Sequence, residues 1–340
     1  MWCHISRAYP WRTMSAFCVS SMEGSFLLNN SMFVQRIVMR LVETVFTLLL
    51  IGVCTLVCPP GDHYLYAHET WGDAGIDSAD PGPVHHPGDV LAQREGAVSC
   101  GTHEWEIRPE LSYIKYEEPG IMKQKGFMAG IGGSYTYKAP VTFTLEGRYS
   151  AGRVDYRNSG AIDGIPDYII EIRSLAGYVV RVSHEYVVMP YIGVGYRYLN
   201  DDMAGMVSST GARGYERESN YYYSPVGLEA SRCFTDGWRC ALNVEIDIFW
   251  QGKQKSHLSD ADSRYNDLEN EQNEGYGVRG ALRVRKKTAA IHVFAEPFFR
   301  YWNIRQSDRE PIISAGSIAS YGCEPTNNST ELGFIVGVAF

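Results

Sequence analysis

Two sets of residues could carry chemistry. The first is a small group of acids and one histidine in stretches without pattern: His257, Asp260 and Asp262 in one, Asp201 and Asp202 in another. A histidine beside several carboxylates is the material of general acid–base hydrolysis. The stretch 253–275 that holds the first three has six acids against three bases. That is the plainer signature of a solvated tip. No Ser/His/acid set accompanies it, so the reading assigns no catalytic residue, no cofactor site and no metal ligand. Five of the nine histidines, at 63, 68, 85, 86 and 103, fall in or beside a Gly-, Pro- and Asp-rich stretch. Solvated linker histidines explain them more simply than a metal-binding tract.

The second set is larger and ordered: charged residues at every second position of long apolar segments. In 141–151, Val141, Phe143, Leu145 and Tyr149 alternate with Thr142, Thr144, Glu146 and Arg148. In 242–251, Leu242, Val244, Ile246, Ile248 and Trp250 alternate with Asn243, Glu245, Asp247, Phe249 and Gln251. Period two marks strands with one apolar and one polar face. The polar face gathers Glu104, Glu106, Arg108, Glu110, Glu146, Arg148, Glu171, Arg173, Arg181, Arg197, Glu229, Glu245, Asp247, Arg279, Arg283, Arg285, Glu296 and Arg300, with His292 among them. That is nine acids and nine arginines, and no lysine. Arginine is the base suited to multidentate pairing with carboxylates in a confined space. The chemistry this set favours is a salt-bridge network; a charged pathway for small ions is the functional rival.

Such faces need strands to hold them. Ten alternating segments run at roughly 103–116, 127–138, 141–151, 168–182, 186–199, 221–232, 241–252, 276–285, 290–302 and 331–340. Most reach the ~9–11 residues that a tilted strand needs to cross a bilayer. The connections alternate long and short: 117–126 against 139–140, then 152–167 against 183–185, 200–220 against the FTDGW turn, 253–275 against KKTA, and finally 303–330. A barrel with short turns at one end and long loops at the other has this asymmetry. Aromatics sort to the strand ends: Tyr113, Phe127, Tyr149, Tyr168, Tyr196, Tyr198, Tyr222, Trp250, Tyr276 and Tyr301 at the loop end, and Trp105, Tyr135, Tyr137, Tyr178, Tyr186 and Phe340 at the other. Two aromatic girdles belong to a membrane barrel. The expected fold is all-β, a ten-stranded antiparallel up-and-down transmembrane β-barrel, with eight strands as the alternative count. A soluble barrel with a ligand inside is the rival fold, and it has no use for the girdles or for sorted loops. Inward Gly130, Gly132, Gly177, Gly193, Gly195, Gly277, Gly333 and Gly337 would leave room for the long side chains. Pro109, Pro190, Pro225 and Pro297 fall inside these segments and each removes a ladder donor. Pro190 is expected to open its strand, and the others to mark bulges or strand ends.

The chain ends in LGFIVGVAF, with Leu332, Phe334, Val336, Val338 and Phe340 on one face and an aromatic last. This resembles the C-terminal strand of bacterial outer-membrane barrels. Residues 103–340 look like the small outer-membrane β-barrels, a group that includes OmpA-type domains, omptin proteases and Opc-type adhesins. The resemblance implies that Phe334, Val336, Val338 and Phe340 form the signal read by the barrel-assembly machinery. It also implies outer-membrane lipid and lipopolysaccharide as surroundings, and an extracellular ligand of the loops. It speaks to architecture more than to function. No position matches an omptin motif residue by residue. The role it favours is structural or surface-interacting and not enzymatic, with a small porin second and an omptin-like protease third.

The rest of the chain agrees. Acids exceed bases 39 to 31, for a net charge of −8, which argues against nucleic acid as a partner. The apolar run 37–58 has an uncharged core, 44–58, preceded by Arg36 and Arg40 and ended by Pro59 and Pro60. It suits a secretory signal and falls short of the length of a spanning helix, with an uncleaved membrane anchor as the alternative reading. The domain reading is therefore an unstructured or non-native extension over 1–31, with translation starting near Met32. A signal region follows over 32–67, then a flexible periplasmic linker over 68–102 and the barrel over 103–340, exported by a Sec-type route. Cys233 and Cys240 flank the FTDGW turn and could bridge that hairpin.

Overall fold

The computed structural model describes residues 103–340. The expectations for the extension, the signal and the linker fall outside them. Within them the period-two pattern becomes strands: β1 (His103–Glu118), β2 (Met122–Tyr137), β3 (Val141–Arg157), β4 (Ile162–Tyr178), the two-residue β5 (Val180–Arg181), β6 (Tyr186–Asp202) and β7 (Glu216–Cys233). They continue as β8 (Trp238–Ser256), β9 (Leu268–Gln272), β10 (Gly275–Lys287), β11 (His292–Ile304), β12 (Glu310–Ser314), β13 (Ser317–Gly322) and β14 (Asn327–Ala339). One short α-helix, α1 (Leu258–Ala261), follows β8, and a single 3-10 turn (Thr235–Gly237) joins β7 to β8. Ten of the strands form a ring in the order β1-β2-β3-β4-β6-β7-β8-β10-β11-β14, and β14 pairs back onto β1. All neighbours are antiparallel and no edge of the ring stays open. Trp105 and Phe340 exchange backbone hydrogen bonds of 2.9 and 3.0 Å at the seam. A sheet closed in this way satisfies its own ladder, the condition for a sheet in lipid.

Burial is inverted relative to a soluble domain. Phe127 is 77% exposed and Leu111 is 68% exposed on the outward face, whereas Glu171 is 3% exposed and Asp247 is fully buried on the inward face. The aromatic belt at the loop end links neighbouring strands in three runs, β1–β2, β3–β4–β6–β7 and β10–β11. Tyr113 packs on Phe127 at 5.2 Å, Tyr149 on Tyr168 at 6.0 Å, Tyr168 on Tyr198 at 5.7 Å, Tyr196 on Tyr222 at 5.2 Å and Tyr276 on Tyr301 at 6.2 Å between ring centres.

The strands are longer than the sequence pattern suggests. β3 runs to Arg157 and β7 starts at Glu216. The first two loop-end connections shrink to 119–121 and 158–161. The outward face changes there from apolar to charged (Lys115 and Glu117 on β1, Lys123 and Lys125 on β2), which hides the alternation beyond the belt. The loop end is thus built largely of strand extensions. The 19 residues of β8 at ~3.3 Å each and a tilt of ~40° rise roughly 48 Å. An apolar band is only ~25 Å tall.

The prolines correct one expectation. All four lie inside strands, and Pro190 does not open β6. Each interrupts the ladder on one side only. The β1–β14 pairing steps from Ile107–Val338 to Glu110–Ile335 around Pro109, while β2 pairs through it. The β6–β7 pairing skips the place of Pro225, and the β10–β11 pairing skips that of Pro297. Pro190 stands opposite the gap between β4 and β5. A strand has two neighbours and proline lacks one donor, so the loss stays local. The bulge expected near these residues occurs once, between Tyr222 and Tyr223, close to Pro225.

Candidate functional site: the lumen and the loop-end rim

Successive residues of a strand point to opposite faces, and residues directly opposite each other share one. Register therefore brings the inward charges of different strands into one interior, and they stack in layers. Nearest the short turns, Glu104 takes Arg285 and Lys138, the latter at 2.7 Å. Above it Arg283 joins Glu106, at 2.9 Å, to Glu296. Next, Glu146 lies between Arg108, at 3.3 Å, and Arg173, which also holds Glu245. At mid-height Arg148 binds three carboxylates: Glu171 at 2.8 Å, Glu110 at 3.0 Å and Glu331 at 3.2 Å. Arg300 backs Glu110 and Glu331. Arg279 holds Asp247, Glu245 and Glu171.

Several of these pairs cross the interior. Arg279 on β10 and Glu171 on β4 are four strands apart around the ring of ten. The hydroxyl of Tyr223 donates to the same Glu171 at 2.7 Å, and the Tyr223 ring packs edge-on against Trp302 at 4.9 Å. The inward glycines accommodate these rings as well as the arginines. A Cβ at Gly195 would collide with the ring of Tyr223.

Of the eighteen charged residues the sequence singles out, two stand apart. Arg181 is exposed on β5. Arg197 is 2% exposed, and its guanidinium lies 5.4 Å from the centre of the Trp302 ring, with no ion pair among the described residues. Glu229 pairs with Arg239 at 2.9 Å, near the turn end.

Sequence reasoning misses the part of the interior beyond the belt. Glu331 has the right parity but opens the last predicted strand. Arg217 on β7 reaches Glu118 on β1, 2.9 Å away, and also Glu324. β7 and β1 are five steps apart in either direction, so this pair spans the full ring. Tyr116 donates to Glu324 at 3.0 Å beside it. Below lies an apolar cluster that the charged pattern gave no hint of: Ile114, Met122, Met128, Val154, Tyr156, Ile162, Ile165, Ile169 and Met203. The signal was present in the parity of β1 to β4 carried four to six residues further.

The rim acids separate. Asp201 faces inward opposite Arg217 and accepts a 2.7 Å hydrogen bond from Gln124. Burial pushes its carboxyl up to about 6, with Arg217 and Gln124 opposing. Asp202 is on the opposite face, across from Glu216. His257 lies between Glu218, 2.8 Å from Nε2, and Asp267, 3.3 Å from Nδ1. Asp260 accepts the backbone N–H of Glu216 at 3.2 Å. Asp262 pairs with Arg264 at the surface, which holds its carboxyl at about 2. The five residues named from sequence do not converge on one another; His257 instead joins acids that the sequence reading passed over.

The Cys233–Cys240 bridge is not formed. Both are free thiols. Register sets Cys233 opposite Arg239 and Cys240 opposite Arg232, so the two sulfurs point to opposite faces.

No family model matches the chain, and no curated protein does. Solved structures do. The outer membrane protease OmpT from Escherichia coli is similar over 70% of this chain and 96% of its own, at 10% identity and a TM-score of 0.50. Neisserial surface protein A aligns over 69% of this chain and 95% of its own, at 13% identity and a TM-score of 0.26. The toluene transporter TbuX of Ralstonia pickettii aligns over 70% and 89%, at 8% identity and 0.32. The likeness to OmpT establishes the fold, that of a small outer-membrane β-barrel.

Proposed function

We propose that the protein is an outer-membrane barrel with a lumen plugged by its own side chains, acting as a structural or surface-interaction protein through its loop end. Exported by a Sec-type route, it would sit with the short turns in the periplasm and the extended strands outside. The observation that carries the reading is the set of ion pairs crossing the interior, above all Arg279–Glu171 and Arg217–Glu118. Side chains that meet across a ring of ten strands leave little bore between them. The apolar cluster around Met128 and Ile165 supports closure between the two crossings.

Lipid and lipopolysaccharide are the proposed surroundings of the apolar wall and its belts. Phe334, Val336, Val338 and Phe340 are the proposed assembly signal. An extracellular ligand would meet the segment 305–326, which carries the β12–β13 hairpin with Ile318 and Tyr321 exposed. Planar-bilayer recording tests the plug: the purified barrel should give no steady conductance. Steady conductance would favour a small porin. The role proposed is non-enzymatic, and peptide cleavage abolished by Asp201→Asn would favour an omptin-like protease instead. Cell binding lost on removal of 305–326 would support the surface role.

A further inference from the structure

One group of ligating side chains lies outside the lumen network. Glu216 and Glu218 occupy the outward side of β7, since Arg217 between them faces inward opposite Asp201 of β6. His257, just after β8, folds over that side, its backbone N–H donating to the Glu216 carbonyl at 3.0 Å. One ligand atom from each of Glu216, Glu218 and His257 lies within 4.8 Å of the others.

Each of the three is anchored through an atom that leaves another to point inward. Glu218 accepts from the Tyr198 hydroxyl on Oε2 at 3.0 Å, which leaves Oε1 toward His257 Nε2. Glu216 accepts from Asn200 on Oε1 at 2.6 Å, which leaves Oε2. His257 turns Nδ1 to Asp267, and Asp267 is itself held by the Ser259 hydroxyl at 2.7 Å. A carboxylate on the far nitrogen of a histidine is the arrangement that orients a metal-bound imidazole and fixes its tautomer.

We propose that Glu216, Glu218 and His257 bind a divalent transition-metal ion of the Zn2+ class, with Asp267 as positioning residue. One imidazole nitrogen and two carboxylate oxygens suit Zn2+, and three protein ligands leave a fourth position open. Ligands ~2.1 Å from one tetrahedral ion stand about 3.4 Å apart. The 2.8 Å contact of His257 with Glu218 opens slightly on binding, and Glu216 closes in. The ring binds as neutral imidazole, keeping its Nδ1–H and donating it to Asp267, and any proton on Nε2 leaves to solvent. Affinity therefore falls as the pH is lowered.

The test is Zn2+ titration by calorimetry of the full chain in detergent, with Co2+ as a visible-spectrum probe. The expected result is one site lost at least 100-fold in His257→Ala and in Glu218→Gln. Asp267→Asn should weaken it 10- to 100-fold while keeping one ion per chain. A variant with His85→Ala and His86→Ala serves as control for the linker histidines and should bind as wild type does. Wild-type affinity in both His257→Ala and Glu218→Gln would overturn the proposal, as would a site that takes Ca2+ in preference to Zn2+. Heat-modified gel mobility confirms that each variant still forms the barrel, and Glu216→Gln gives an independent reading should either of the first two fail to assemble.

Discussion

Replacing Arg148 with Met removes the centre of the lumen network and keeps most of the side chain's bulk. Arg148 is 7% exposed and meets Glu110, Glu171 and Glu331. Each carboxylate keeps one other arginine: Arg300 serves Glu110 and Glu331, and Arg279 serves Glu171. None is left wholly unpaired, so the loss should match one broken buried pair and not three. That is about 3–5 kcal/mol, or between about 10²- and 10⁴-fold in the unfolding equilibrium. Urea unfolding in phospholipid vesicles, followed by tryptophan fluorescence, measures it. Arg153→Met is the control: among the described residues this exposed arginine donates only to the Gly164 carbonyl, and its loss should cost about 0.5 kcal/mol or less. Adding Glu331→Gln to Arg148→Met should recover part of the loss, because a buried charge is then removed with its partner. A cost for Arg148→Met below about 1 kcal/mol, the range of exposed pairs, would refute the reasoning. It would mean that water reaches all three carboxylates, and the plug would fall with it.

Other measurements follow from the same geometry. Asp201 lies three residues beyond the belt residue Tyr198, and its folded carboxyl is raised from the ordinary 3.8 to about 6. The folded state thus prefers the protonated acid, and stability present below about pH 4 is lost as pH rises through 6. Asp201→Asn should therefore stabilise the barrel at pH 7, by roughly 2–3 kcal/mol, and not at pH 4; equal gains at both would contradict the shift. Gly195→Ala would push the Tyr223 ring from its place and cost about 1–3 kcal/mol, whereas an unchanged urea midpoint would show that the ring moves freely. Denatured protein alkylated without reductant should gain mass at both Cys233 and Cys240; a protected pair would reverse the register argument. Phe340→Ala should lower the yield of assembled barrel more than the stability of what assembles, as heat-modified mobility would report.

The barrel was legible because lipid on one side and a charged interior on the other impose strict parity on every strand. The ten segments, both belts and the terminal face follow from that alone. What parity could not give is reach. Arg279 and Glu171 are 108 residues apart, and only the closure of β14 on β1 brings their strands to facing sides. Strand ends were also hidden. Once the outward face turns polar beyond Tyr113 and Phe127, Lys115 against Lys125 no longer contrasts with an inward charge. Arg217, Glu118 and Glu324 were lost there, and so was the apolar inner cluster. His257 was seen, but Glu218 and Glu216 were not, because they sit on the outward face of a strand extension read as loop.

The buried charges also bear on register. A β-strand slipped by one residue turns its whole inward set to the other face. For β1 that slip would put Glu104, Glu106, Arg108 and Glu110 into lipid and draw Trp105, Ile107 and Leu111 inside. In a soluble sheet such a slip costs lost burial. Here it would strip Glu106, Glu110 and Arg108 of partners on three other strands, and a charge facing the hydrocarbon of a barrel costs up to ~2–4 kcal/mol for an arginine and less for a glutamate. Net stability from buried ion pairs is often small, so the network's larger effect is to exclude neighbouring registers. The same requirement favours arginine over lysine. A guanidinium that binds carboxylates on three strands, as Arg148 does, fixes three alignments at once, and an ammonium group's point charge would fix them less sharply.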